Sequence, residues 1–324
     1  SGTGKTIAIV DDDFRNSANL THAEFGGKTI TAYNTLSAGG PSSTSYHGMH
    51  VAGLAAASYN SNSSSFDDST NTNWGASRSL NGTSGDYNLL SYGLMGVAYE
   101  ADLHLTDYSI TMTALAAATD SATAAGAIVQ NNSWGWGTCT TNNCSQTIDV
   151  WVNYQNNNGT TDAQTLAALT DTEAGWTAYL SAVDSFQDTG VVVVAAGNDS
   201  ASSEVNVQAG LPQIASELAD AWLVVGNVDT SGSTVNSSSV TRQGNQCGVA
   251  AQYCVQADGT HVTSTVGGYA GSNENGRYQV YSGTSMAAPI VSGSIALLSQ
   301  AFPNHTPAQL TDRILASANN DFFT

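Results

Sequence analysis

Apolar and polar positions alternate along the chain in short blocks. Thr6–Val10 (TIAIV) is an apolar, β-rich run that stops at Asp11, Asp12 and Asp13, and it predicts a strand ending there. His47–Ala57 (HGMHVAGLAAA) predicts a helix of small residues able to pack closely. Ser58–Tyr92 is polar, with SNSSSFDDSTNTN followed by NGTSGD, and reads as a loop-rich surface insertion at about 58–92. After Gly96–His104 (GVAYEADLH), an Ala-rich segment from Ala114 to about Ala125 predicts a helix, and Ala127–Asn131 (AIVQN) a short strand. A second insertion is expected at about 136–158. Ala163–Phe186 places Leu166, Leu169, Trp176, Leu180 and Val183 at helix-like spacing. Val191–Ala196 is continuously apolar, the pattern of a strand covered on both faces of a parallel sheet, and Trp222–Val228 repeats it. Thr284–Phe302 predicts a long apolar helix. Strands alternating with helices from end to end imply an α/β fold with a mainly parallel sheet and helices on both faces. Neither a repeat nor a linker divides the chain, so one domain over residues 1–324 is expected.

Composition narrows the function classes. Of 324 residues, 41% are hydrophobic, enough to build a core. The 7 basic and 26 acidic side chains leave a formal charge of −19, which repels nucleic-acid backbones and anionic membranes. No apolar run approaches the roughly 18 residues a membrane helix needs, so no membrane insertion of this segment is expected. The chain starts at Ser1 with neither Met nor a signal-like stretch, as expected of a mature or trimmed form. Its four cysteines form two close pairs, Cys139/Cys144 and Cys247/Cys254. Three connectivities exist, and the short separations favour two local disulfides over crossed ones. Neither spacing suits a zinc knuckle or a redox motif, so disulfides in an oxidising, extracellular setting are expected.

Candidate chemistry lies in four places. The opening SGTGKT ends like a phosphate-binding loop, but a strand follows it where that loop needs a helix, which argues against a nucleotide site. More informative are IAIVDDDF, an acid at a strand end; HGMHVAG, a histidine at the start of a helix; and GTSMAAP, a serine at another helix start. Singly, Asp11, His47 and Ser285 read as a turn acid, a structural histidine and an N-cap. Their joint occurrence in the order Asp, His, Ser carries far more weight.

These segments resemble the catalytic signatures of the subtilisin-like serine proteases, or subtilases, with matching landmarks from Ile7 to about Leu298. CGVAAQYCVQADG and SGTSMAAP further resemble subtilase domains of bacterial autotransporters. The resemblance implies a three-layer α/β domain and hydrolysis of peptide bonds through an acyl-enzyme. Ser285 is then the nucleophile, since a serine hydroxyl needs an adjacent base to take its proton. His47 is that base, and Asp11 fixes its tautomer and stabilises its charged form. Among the three acids, strand register selects the inward-pointing one, expected to be Asp11. Asp13 stands where the family usually has Gly, and Ile290 where it often has His. VVVVAAGN resembles the segment ending in an oxyanion-hole amide, implying Asn198 with the Ser285 backbone N–H. Pro289, four residues on, leaves the Ser285 carbonyl without its helical donor.

Ser133, Trp134 and Gly135 resemble one wall of the primary substrate pocket, with Ala195, Ala196 and Gly197 opposite, and exposed strand edges suit an extended peptide. His50 follows His47 by three residues, without the i, i+4 partner or third ligand of a metal helix, and is expected to be packed and hydrogen-bonded. No cofactor is required for this chemistry. Family members often hold structural calcium, and Asp67, Asp68 and Asp86 are acidic candidates, but their spacing lacks the EF-hand pattern and solvated surface acid is the default. The expected partner is a protein or peptide substrate. A removed propeptide or C-terminal translocation domain is also expected, with the chain acting as a monomer outside the cell or on a bacterial cell surface. Two competitors are a transamidase on the same fold, separable by product mass, and an inactive binding or adhesion module, against which the intact Asp11, His47, Asn198 and Ser285 argue.

Overall fold

The computed structural model describes residues 1–14, 22–34, 36, 46–59, 94–107, 111–135, 147–230, 240–266 and 277–318. Its strands are β1 (Thr6–Asp11), β2 (Ile30–Ala32), β3 (Asp102–Asp107), β4 (Ala127–Asn132), β5 (Val191–Ala195), β6 (Trp222–Asp229), β7 (Thr241–Arg242), β8 (Cys254–Asp258), β9 (Val262–Val266) and β10 (Arg277–Tyr281). The α-helices are α1 (His47–Ala56), α2 (Met112–Ala124), α3 (Ile148–Asn158), α4 (Asp162–Ala167), α5 (Glu173–Gln187), α6 (Thr284–Ala301) and α7 (Pro307–Ser317).

The main sheet runs β2-β3-β1-β4-β5-β6-β7, with β8 also paired to β6, and all but the β6–β7 pair are parallel. β1 is central, flanked by β3 and β4, so successive connections leave it in opposite directions. Clefts in open α/β sheets form beyond the carboxyl ends of the strands at such a reversal. β9 and β10 form a separate antiparallel pair.

Alternation within each strand feeds two cores. Ile7, Ile9, Val129, Val191, Val193 and Ala195 pack on the face carrying α1 and α6, while Ala8, Val10, Val192 and Val194 pack on the face carrying α2 and α5. β5 is buried at every position, as its unbroken apolar run predicts.

Three expectations change. The single helix over 163–186 is two. A capping box between Thr161 and Gln164 starts α4, Asp171 adopts a left-handed φ of 62°, and Thr172 caps the start of α5 by accepting from Gly175 N. Local capping therefore overrides continuous periodicity. The second insertion ends in a regular helix, α3, closed by Gly159 at φ 61°. The strands β2, β3, β7, β8, β9 and β10 and the helix α7 were not expected, because short segments carry little periodic signal.

Cys247 and Cys254 form a disulfide, as expected, joining a short turn to the start of β8. Cys139 and Cys144, most of the 58–92 insertion, and the calcium candidates Asp67, Asp68 and Asp86 lie outside the described residues. Among the described residues, no helix is long and apolar enough to cross a membrane.

Candidate active site

Asp11 ends β1 in register with Asp107 of β3. It shares a sheet face with Ile7 and Ile9, the face against α1, and is only 2% exposed, whereas Asp12 is exposed. Pleat alternation thus separates Asp11 from Asp12, while Asp13 lies beyond the end of β1 with a left-handed φ of 55°. His47 is the first residue of α1, and its Nδ1–H donates to Asp11 Oδ1 at 2.6 Å. The same oxygen accepts from the Asp12 N–H at 2.8 Å. Neutral His47 paired this way carries its proton on Nδ1 and leaves Nε2 as a base.

Gly48 permits the close approach of helix and strand end. Its N–H donates to the Asp12 carbonyl at 2.8 Å, and a Cβ there would stand 2.4 Å from that oxygen. Behind the helix, Ser264 Oγ donates to the His50 carbonyl and Thr265 Oγ1 to the Met49 carbonyl, clamping α1 under β9.

The field at His47 is strongly negative. Burial opposes its charged form and is the largest single influence, but the charge of Asp11, its hydrogen bond and the charges of Asp12 and Asp13 together raise the imidazole from 6.5 to about 9. Asp12 is pushed up from 3.8 to about 6 by covering of its carboxyl, then by the Asp11 charge. Asp13 and a carboxyl–carboxylate hydrogen bond with Asp11 add to this against the opposing pull of His47. The other Asp11 oxygen, Oδ2, is buried and accepts no hydrogen bond from a standing donor.

His50 behaves as a packed residue. It is fully buried, places Nε2 3.0 Å from the Gln279 carbonyl and stacks on Tyr281 with ring centroids 4.3 Å apart. Burial lowers it to about 3, so it stays neutral.

Ser285 is the second residue of α6 and 9% exposed. Its Oγ donates to the Ser133 carbonyl at 3.0 Å. The hydroxyl is thus satisfied by a buried carbonyl just beyond the end of β4. Asn198, exposed just beyond β5, is tied to the same helix start. Its Oδ1 accepts from Thr284 N at 2.8 Å and from Thr284 Oγ1 at 3.0 Å. Facing a backbone donor, the amide must present its oxygen, which leaves Nδ2 for another acceptor. Gly283, at φ 153°, makes room for this contact, since a Cβ would lie 3.1 Å from Asn198 Oδ1.

The residues expected to line the pocket divide in two. Ser133 is 2% exposed, Ala195 and Ala196 are buried, and the carbonyls of the two alanines already accept from Asn206 Nδ2 and Asn206 N. Trp134 and Gly197 are half-buried and Gly135 is exposed. Asn206, absent from the sequence reading, also lies against Gly135, where a Cβ would meet its side chain at 2.5 Å. No local motif distinguishes it; only its place across β5 does.

Among the described residues, one trio of potential metal ligands lies close together: Asp11, Asp12 and His47. Two carboxylates and an imidazole do not supply the six to eight oxygens calcium takes, and the group does not fit that ion.

The arrangement places an acid, an imidazole, a serine at a helix N-terminus and a free amide donor at the carboxyl ends of the neighbouring strands β1, β4 and β5. Curated relatives include fervidolysin of Fervidobacterium pennivorans, 36% identical over 143 residues, covering 41% of this chain and 18% of that protein. Subtilisin NAT of Bacillus subtilis subsp. natto is 33% identical over 152 residues, covering 46% of this chain and 35% of that protein. The alignments thus span well under half the length of either relative. The crystal structure of fervidolysin superposes with a TM-score of 0.60 at 24% identity, covering 100% of this chain and 40% of that one, which shows the shared fold. The profile described as "Subtilase family" matches residues 2–323, and the chain accordingly belongs to the subtilases, a family of subtilisin-like serine endopeptidases.

Proposed function

We propose that this chain is a secreted serine endopeptidase that cleaves protein or peptide substrates through a Ser285 acyl-enzyme, as one catalytic domain over residues 1–324. The observation that carries the reading is the Asp11–His47 hydrogen bond, formed at the carboxyl end of β1, beside the end of β4 to which Ser285 is bonded. In this reading Ser285 Oγ leaves the Ser133 carbonyl by rotation about χ1 and gives its proton to His47 Nε2 as it attacks the substrate carbonyl. Asp11 keeps Nδ1 protonated and stabilises the imidazolium. His47 then returns the proton to the departing amine, and water repeats the sequence on the ester to release the acid.

Charge developing on the carbonyl oxygen is met by Asn198 Nδ2 and the Ser285 N–H, assisted by the positive end of α6. Trp134, Gly135 and Gly197 supply the accessible part of the substrate pocket, with Ser133, Ala195 and Ala196 behind it. Small residues there favour a large apolar side chain before the scissile bond. The Cys247–Cys254 disulfide supports an oxidising location, outside the cell or on its surface.

The test is intact-mass analysis after fluorophosphonate treatment of the wild type and Ser285→Ala. One adduct on the wild type, mapped to Ser285 and missing from the variant, is expected. No adduct on folded wild type, or an adduct retained by the variant, overturns the reading.

A further inference from the structure

Pro289 has no N–H, so the Ser285 carbonyl loses the donor that an unbroken helix places four residues on. The ring also crowds that carbonyl. Ser285 is nearly buried, so its carbonyl needs another partner. Ser133 Oγ provides it, donating to the Ser285 carbonyl at 2.9 Å across 152 positions of sequence. This donor is itself held. Ser133 Oγ accepts from Asn131 Nδ2 at 2.9 Å, and Asn131 Oδ1 accepts from Ser292 Oγ at 2.9 Å. Ser292 lies two turns further along α6, so the bonds close a ring from α6 to the end of β4 and back. Asn131 and Ser292 are fully buried and Ser133 is 2% exposed, which keeps water from substituting for any member.

We propose that Ser133 is a positioning residue for the nucleophile: its hydroxyl replaces the helical N–H that Pro289 removes and sets the first turn of α6. The sheet, instead of the helix's own fourth residue, then fixes where the Ser285 hydroxyl and backbone N–H stand. The Ser133 hydroxyl is spent on the Ser285 carbonyl and the residue is 2% exposed, so its role differs from that of a pocket wall. The proposal rests on the reading of Ser285 as the nucleophile.

The test compares wild type, Ser133→Ala, Pro289→Ala and the double variant. Each is followed by fluorophosphonate labelling rate, by kcat and KM on a chromogenic peptide, and by thermal melting. Ser133→Ala is expected to slow labelling and kcat by about 10- to 100-fold, the scale of a misplacement near one ångström. KM is expected to move less than about threefold, because the change is to alignment and not to binding. In the double variant the Pro289→Ala change restores an N–H to the Ser285 carbonyl, and most of the labelling rate is expected to return. A folded Ser133→Ala labelled as fast as wild type overturns the proposal, as does a double variant no faster than Ser133→Ala. Should Ser133→Ala not fold, Ser292→Ala tests the far side of the ring. It is expected to slow labelling by about two- to fivefold, the scale of one neutral hydrogen bond, and wild-type labelling of that variant overturns the proposal. Folded wild type that takes no label refutes the nucleophile reading itself, a result distinct from equal labelling of wild type and Ser133→Ala.

Discussion

His47 Nδ1 and Asp11 Oδ1 stand 2.6 Å apart although 36 positions separate them in the chain, and two further acids follow Asp11 directly. The pair gains a tautomer-fixing bond, while the surplus negative charge makes the imidazole harder to deprotonate. That balance has consequences for pH dependence.

A base held near 9 is mostly protonated at neutral pH. The expected kcat/KM profile therefore rises about tenfold per pH unit from neutrality and levels near pH 9. Asp12→Asn removes one of the charges raising His47, and its acid limb is expected to move to lower pH. A profile already flat at pH 7 in the wild type, or one unmoved by Asp12→Asn, contradicts the electrostatic account.

Stability follows the same charges with definite signs. Raised above its unfolded value of 6.5, His47 stabilises the fold fully below that pH, and the contribution disappears as pH climbs through about 9. Asp12, raised from 3.8 to about 6, likewise favours the fold at low pH and loses that contribution as pH rises through about 6. Asp12→Asn is thus expected to melt higher than wild type at pH 8, with the gain shrinking towards pH 4. Melting curves at the two pH values decide it.

Asn198 supplies a test that separates donor from acceptor. Asn198→Ala is expected to lose about 10²–10³ in kcat, the usual size for one oxyanion donor, with KM little changed. Asn198→Asp keeps an acceptor for Thr284 but offers no amide N–H, so it is expected to melt near wild type while losing at least as much kcat. Near-normal kcat in Asn198→Asp excludes the donor role.

Gly48→Ala forces a Cβ to within 2.4 Å of the Asp12 carbonyl and 2.9 Å of the Phe14 ring. Overpacking of this kind costs about 1–3 kcal/mol. A lower Tm is expected, along with lost activity as His47 is pushed from Asp11. An unchanged Tm by calorimetry rules out the close approach.

Replacing Cys247 and Cys254 together by Ala opens a loop spanning seven positions. The loss expected from chain entropy is about 2–3 kcal/mol. The disulfide lies away from the Asp11–His47 pair, so kcat at low temperature is expected to hold while Tm falls. Comparable Tm values for the two forms show that the bridge adds nothing to folding.

Much of this protein is legible locally. β1, β5, β6, α1 and α6 are written in runs of neighbouring residues whose period or continuous apolarity reports burial directly. The three segments bearing Asp11, His47 and Ser285, and the close Cys247/Cys254 pair, are readable for the same reason. What only the tertiary structure decided concerns partners far apart in sequence. The break between α4 and α5 depends on caps at Thr161 and Thr172. Register already favours Asp11 over Asp12, but its contact with His47 exists only once β1 is seated against α1. The Ser285 hydroxyl turns to the Ser133 carbonyl, and the Ser133 hydroxyl to the carbonyl that Pro289 orphans, because packing brings β4 and α6 together. The gap that Pro289 leaves is written in sequence; what fills it comes from 152 positions before Ser285, and local pattern holds no information over that distance.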